Sequence, residues 1–290
     1  MTDLLVIAFL LQTLRIAAPI LLAALGGVMS ERSGIVDLSL EGKLLMGALA
    51  TEIGAHATGS ATAGALAGMA GGMATAALYG VVVIRFRADQ IVSGIAINML
   101  AIGLGAFAIQ LLYGSASNSP KIPGFPGSLL ANPLFWIALA LVPAVHLLLE
   151  RTRLGLRVRA AGEHPAAAES LGVRVARIRW EAVLLSGALA GLGGAWLALE
   201  NHSFVSDMAA GRGYLALAAV IMGNWRPVGA ALACLFFGAA QALQIQLKTA
   251  GLVAIPDSVA SLVPYVLTIV ALAGFIGRSR PPASLGRPPD

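Results

Sequence analysis

The sequence predicts an all-α, polytopic membrane protein with about nine or ten transmembrane helices and two broken or re-entrant segments. Three observations carry that reading. Apolar residues make up 58% of the 290 positions and charged residues only 11%, a balance that no water-soluble core calls for. The apolar residues come in runs long enough to cross a bilayer, for which roughly 20 helical residues suffice. Residues 30–43 and 204–227 interrupt those runs with charges and glycines, where backbone facing lipid would go unpaired. One interruption in each half of a chain marks an inverted repeat with a pathway between the halves.

The elements follow in order. Residues 4–28 form a span with Arg15 in its middle, a charge costing about 2.5–3.5 kcal/mol unless it faces protein or snorkels. Pro19 predicts a kink beside it. The run is too long for a secretory leader and lacks a leader's basic start. Next comes SERSGIVDLSLEGK, residues 30–43, too polar for lipid and too apolar for a plain loop. A broken or re-entrant segment buried in the bundle satisfies both constraints. Residues 44–57 and 62–84 are spans, and Gly64, Gly68 and Gly72 lay a small-residue stripe along the second. Arg85 and Arg87 end it on the cytoplasmic side.

Residues 90–112 make a further span containing Ser93 and Asn98. The proline-, serine- and glycine-rich loop 114–132 faces outward. Residues 133–149 return, and 182–199 leave again with Gly187, Gly191 and Ala195 as a packing stripe. In FVSDMAAGRGYLALAAVIMGNWRP, the AAGRG interruption leaves an apolar helix too short to span. Residues 228–247 and 259–276 complete a single transmembrane domain, residues 1–276. The proline- and arginine-rich remainder, residues 277–290, is expected to be a disordered cytoplasmic tail. Nine crossings put the N-terminus outside; ten, with residues 30–43 crossing alone, put it inside.

The longest polar island is GLRVRAAGEHPAAAESLG, residues 155–172, in a cytoplasmic loop over 150–181. Arg151, Arg153, Arg157, Arg159, Arg174, Arg177 and Arg179 surround it, seven of the chain's 19 basic residues. Pro165 suits the first turn of a short helix, Gly172 offers a left-handed stop, and His164 is placed to help cap it. The segment reads either as a connector obeying the positive-inside rule or as a docking helix that passes motion from a soluble partner.

Several chemistries are excluded. The net charge of +5 comes with no basic-aromatic segment of the nucleic-acid-binding kind. Neither Gly42-Lys43 nor Lys248-Thr249 has the spacing of a phosphate loop. The four histidines are scattered, and the single cysteine permits neither an internal disulfide nor a thiolate metal site. The chain is expected to be no enzyme and to bind no cofactor. Asp37 and Glu41 stand one helical turn apart. They either pair with Arg32 or Lys43, or face a hydrophilic solute together with Ser39, Ser93 and Asn98. Asn98 has the further option of bonding a neighbouring helix.

Four stretches, SERSGIVDLSLEGKLLMGA, RADQIVSGIAINMLA, RAAGEHPAAAESLGV with LSGALAGLGGA, and GRGYLALAAVIMGNWRPVGA, together resemble the permease subunits of ATP-binding-cassette importers. They resemble most the simple-sugar and nucleoside branch, which is related to the branched-chain amino-acid permeases. VDLS is closer to the sugar permeases, SERSG and LEG to the nucleoside ones. The resemblance implies a vitamin-B12-importer-like (type II) fold in a bacterial plasma membrane. It implies two ATPase subunits that use ATP and magnesium, a second permease, and an extracytoplasmic substrate-binding protein. It also makes Gly162, Glu163, His164, Pro165, Ala166 and the helix to Gly172 the coupling helix that docks on the ATPase. The expected cargo is a nucleoside, with simple sugars or branched-chain amino acids as alternatives. A self-sufficient secondary transporter or channel would instead need carboxylates at mid-membrane for ion coupling.

Overall fold

The computed structural model describes residues 2–115, 117–125, 128–249 and 279–287. Its described residues form α1 (Thr2–Arg32), α2 (Leu40–Thr58), α3 (Ala61–Gly80), α4 (Gln90–Tyr113), α5 (Pro133–Arg151), α6 (Arg153–Glu163), α7 (Pro165–Ser170), α8 (Val175–Asn201), α9 (Arg212–Met222) and α10 (Pro227–Thr249). A π-helical turn, Val81–Arg85, prolongs α3. Among the described residues, six helices are long and apolar enough to cross a membrane: α1, α3 with its π turn, α4, α5, α8 and α10. With 19 residues, α2 has the length, but Glu41, Lys43 and Glu52 are buried in it, so it needs protein around it rather than lipid. At 11 residues α9 is about half a span. The expected span at 259–276 lies outside the described residues.

Local chemistry sets the ends. Asp89 accepts hydrogen bonds from the amides of Ile91 and Val92 and so starts α4. Asn132 does the same for Leu134, with Pro133 in the first turn of α5. Thr152 accepts from Gly155 to start α6. In each case a side-chain oxygen satisfies an amide that the helix leaves without a partner.

Helix α8 is the axis of the bundle, buried along nearly its whole length, while α4 and α5 turn apolar faces outward. What lets α2 and α3 close on α8 is the small-residue pattern. A β-carbon on Gly47 would stand 2.6 Å from Gly191 Cα, and one on Gly68 would stand 3.0 Å from Ala195 Cβ. A β-carbon on Gly187 would collide with Gly72 O and Ala76 Cβ. Both expected stripes therefore meet each other, and backbone-to-backbone contact replaces side-chain interdigitation.

The connections sort to two ends. At one end, Ser119 and Ile122 donate backbone bonds to Phe204 and His202, laying residues 117–122 on the α8–α9 connection. Arg15 pairs there with Glu200 at 3.0 Å, which removes the cost of a lone charge in α1. At the other end, Arg32 donates to Trp225 O and Arg179 to Ser33 O, close to α6 and α7. Helix α1 therefore ends on the side of the arginine-rich loop, and the break after it does not cross by itself.

The tail departs from expectation. Residues 279–287 are not a disordered extension: Ser284 is buried and donates to Gly162 O and Ala161 O, while Pro282 is buried beside it. Its composition resembles that of a disordered segment, but the helix-end carbonyls of α6 need partners, and the serine supplies them.

Candidate functional site

The inner end of the bundle is built on the break between α1 and α2. Gly34 adopts φ +95°, a conformation that side chains disfavour. It lets the chain turn so that Ser33 and Ile35 both bond back to Ser30 O. Asp37 follows, fully buried. Its carboxylate receives the Lys43 ammonium at 2.6 and 2.7 Å, the Ser39 hydroxyl at 2.8 Å and the Ser186 hydroxyl of α8 at 2.5 Å. An ion pair removed from water survives only when its remaining hydrogen-bonding capacity is met, and here the Ser39 and Ser186 hydroxyls meet it.

Around that pair the break is tied to every neighbouring element. The Trp225 indole donates to Glu31 at 2.5 Å, and Glu31 also accepts from the Asp37 amide. Tyr79 of α3 donates its hydroxyl to Val36 O, while Gln90 of α4 accepts from the Val36 amide at 2.7 Å. Glu41 reaches across to α9 and takes the amides of Gly211 and Gly213 at 2.7 and 2.6 Å. A carboxylate at that position meets unpaired donors and the positive end of the helix dipole together.

Of the five polar residues singled out for the pathway, Asp37 and Glu41 do not act as a pair. Asp37 bonds Lys43, as one reading had it, whereas Glu41 bonds neither Arg32 nor Lys43. Ser39 donates to Asp37. Ser93 donates to Asp89 O in its own helix. Asn98 accepts from the Gly42 amide and donates to Leu38 O and the Tyr214 hydroxyl, joining α4 to α2 and α9. A cavity of about 550 Å³ opens instead among α1, α8, α10 and the α8–α9 connection, lined by residues that include Arg15, Glu200, Asp207, Arg212 and Gln241. None of the five lines it. Arg15 and Arg212 were visible in the sequence as charges within apolar surroundings.

The arginine-rich loop folds around a short helix with its ends where the sequence puts them. Pro165 opens α7, Gly172 stands at φ +81°, and the Val173 amide returns to Ala168 O at 3.0 Å. This is the left-handed helix stop. His164 occupies the N-cap position without a side-chain bond to the helix, so its expected capping role is not realised; its imidazole is left exposed on the surface. Glu163, Ala166 and Leu171 are exposed beside it. Two depressions flank the helix, one of about 440 Å³ including Glu163, His164 and Arg179, the other of about 380 Å³ including Arg157, Leu171 and Arg174. Of the seven arginines, Arg179 is buried against the break. It is a structural residue and not a surface charge. Among the described residues, no cluster of three or more His, Cys, Asp or Glu could hold a metal.

Known proteins resemble this chain along nearly its whole length. The guanosine ABC transporter permease protein NupQ of Bacillus subtilis is 41% identical over 95% of this chain and 94% of its own. The nucleoside ABC transporter permease protein NupC of Lactococcus lactis is 36% identical over 93% and 92%. A putative glucose ABC transporter permease protein of Haloferax volcanii, TsgC13, is 33% identical over 92% and 91%. Residues 9–272 match the family described as branched-chain amino acid transport system / permease component. The matches run through both breaks and the exposed, capped helix at the basic end of the bundle, and the chain belongs to that permease family.

Proposed function

We propose that this chain is the membrane-spanning subunit of an ATP-driven importer of nucleosides. The observation that carries the reading is α7, a capped helix standing between two depressions at the arginine-rich end. Glu163, His164, Pro165, Ala166 and Gly172 form its docking surface for an ATPase subunit, with Gly162 buried behind them. Two such ATPases, using ATP and magnesium, a second permease and an extracytoplasmic binding protein complete the assembly in a bacterial plasma membrane. The chain itself supplies the path and not the hydrolysis. The two breaks, one buried between α1 and α2 and one between α8 and α9, support the vitamin-B12-importer type of arrangement. In this reading Asp37, Ser39, Glu41 and Asn98 serve the pathway by holding the break and α9 in place, and Ser93 lies beside them on α4.

The nucleoside cargo is supported by the names of the two relatives at 41% and 36% identity; a simple sugar is the second reading, favoured by the relative at 33%. Deleting the chain should abolish uptake of radiolabelled guanosine and leave leucine uptake intact. Loss of leucine uptake alone would overturn the cargo. Replacing Glu163 by Ala should loosen ATPase co-purification, and unchanged association with normal uptake would overturn the docking role.

A further inference from the structure

Residues 279–287 lie across the inner end as a strap, and their bonds single out one place. Ser279 and Arg280 hold the end of α9 through Ile221 O and Asn224 Oδ1. Ala283 donates to the Glu163 carboxylate at 3.2 Å, and the Ser284 amide and hydroxyl both donate to Gly162 O, at 2.9 and 2.7 Å. Two residues on, the Gly286 amide donates to Gly34 O at 3.3 Å. The Gln90 amide group joins the two sides, giving a hydrogen bond to Arg287 O and accepting one from the Val36 amide.

We propose that this strap is part of the coupling path, with Ser284 as the positioning residue that ties the coupling loop to the α1–α2 break. The inference rests on α7 docking to an ATPase. Gly162 and Gly34 approach so closely that a β-carbon on Gly34 would stand 2.7 Å from Ser284 Oγ and 3.5 Å from Gly162 Cα. The small Ser284 side chain fills the junction between the two glycines and bonds one of them, leaving no slack to absorb a displacement, and close-packed contacts transmit strain. The strap is short and braced, since Leu285 bonds Pro282 O and Arg287 bonds Ser284 O, and Leu285 packs on the main core. A shift of Gly162 with α7 is therefore delivered through Ser284 and Gly286 to Gly34, three residues before the buried Asp37. A tail serving only solubility would have no use for bonds to both sides of that junction.

The test uses the assembled importer with its ATPases and second permease, comparing wild type with Ser284→Ala and with a truncation before Pro281. Backbone hydrogen exchange is followed in residues 33–39 and 165–172, with and without ATP plus vanadate, beside guanosine transported per ATP hydrolysed. In wild type both segments should respond to nucleotide. In the variants 165–172 should still respond, 33–39 should not, and transport per ATP should fall about fivefold or more, the lower edge of ordinary coupling free energies. A merely structural role would raise exchange at 33–39 equally in both nucleotide states. A full nucleotide response at 33–39 in both variants, or failure of both to assemble, would overturn the strap's role and leave the docking reading standing. No response at 165–172 in wild type would bring down the docking reading and the strap with it.

Discussion

Lys43 Nζ lies 2.6 and 2.7 Å from the two oxygens of Asp37, and neither side chain has any exposed surface. The pair locks the first turn of α2 to the break before it, six residues apart in sequence, and Ser186 extends the lock to α8. Removing one partner leaves the other as an unpaired charge in a dry interior, a change that costs about 3–5 kcal/mol. Asp37→Asn or Lys43→Met alone should therefore lower the thermal midpoint in detergent sharply. The double variant should recover most of the loss, because two well-packed neutral side chains need no charge compensation. A double variant no more stable than either single one would show that the ion pair is not what holds the break.

The glycine junction makes a separate prediction. Gly187→Leu drives a side chain into the Gly72 carbonyl and Ala76, where α3 has no room to retreat without leaving α2. Gly103 on α4 has nothing within 4 Å of a built β-carbon, so Gly103→Leu adds the same bulk harmlessly. Overpacking typically costs about 1–3 kcal/mol and more against backbone. Folded yield and thermal midpoint should drop for Gly187→Leu only; equal behaviour of the two variants would mean that the α8 stripe does not bear on α3.

Both features show what can be read from a sequence and what cannot. The stripes on α3 and α8 were legible because a three-residue spacer between small residues has one geometric use in a helix. The two breaks were legible because charges at 31, 37, 41 and 43 and the AAGRG run cannot face lipid. That Asp37 would find Ser186, or Trp225 would find Glu31, was not legible, since each pair is joined only by the fold across 149 and 194 residues. The strap was misread for a related reason. Pro, Arg and Gly set its composition, whereas its order comes from one serine and one proline entering a junction formed by other elements. Arg179 likewise counts as one more loop charge until α1 is packed beside it.

Glu41 offers a test of how α9 is held. Its two oxygens take the Gly211 and Gly213 amides at the start of the helix, and hydrogen bonds to a charged group are worth about 1.5–3 kcal/mol each. Glu41→Gln keeps an acceptor but loses the charge and one of the two oxygens. It should speed hydrogen exchange at residues 211–214 while leaving 33–36 unchanged. Equal acceleration in both segments would show that the break and α9 are held as one unit, against the separate anchoring of Asp37 and Glu41.

The end of α7 depends on the left-handed conformation of Gly172. Gly172 sits at φ +81°, and a β-carbon built there meets nothing within 4 Å. Any effect of a substitution must come from the left-handed conformation itself, costing about 1–2 kcal/mol for a residue with a β-carbon. Valine is branched at that carbon and should move the chain out of this region, freeing the Ala168 carbonyl that Val173 now satisfies. Asparagine visits it readily. Because position 172 is exposed and packs on nothing, Gly172→Val should insert and fold with a thermal midpoint near wild type, yet retain less ATPase on co-purification. Gly172→Asn should bind it as the wild type does. Equal ATPase retention by the two variants would show that the geometry of α7 does not govern docking, whatever else binds at that end.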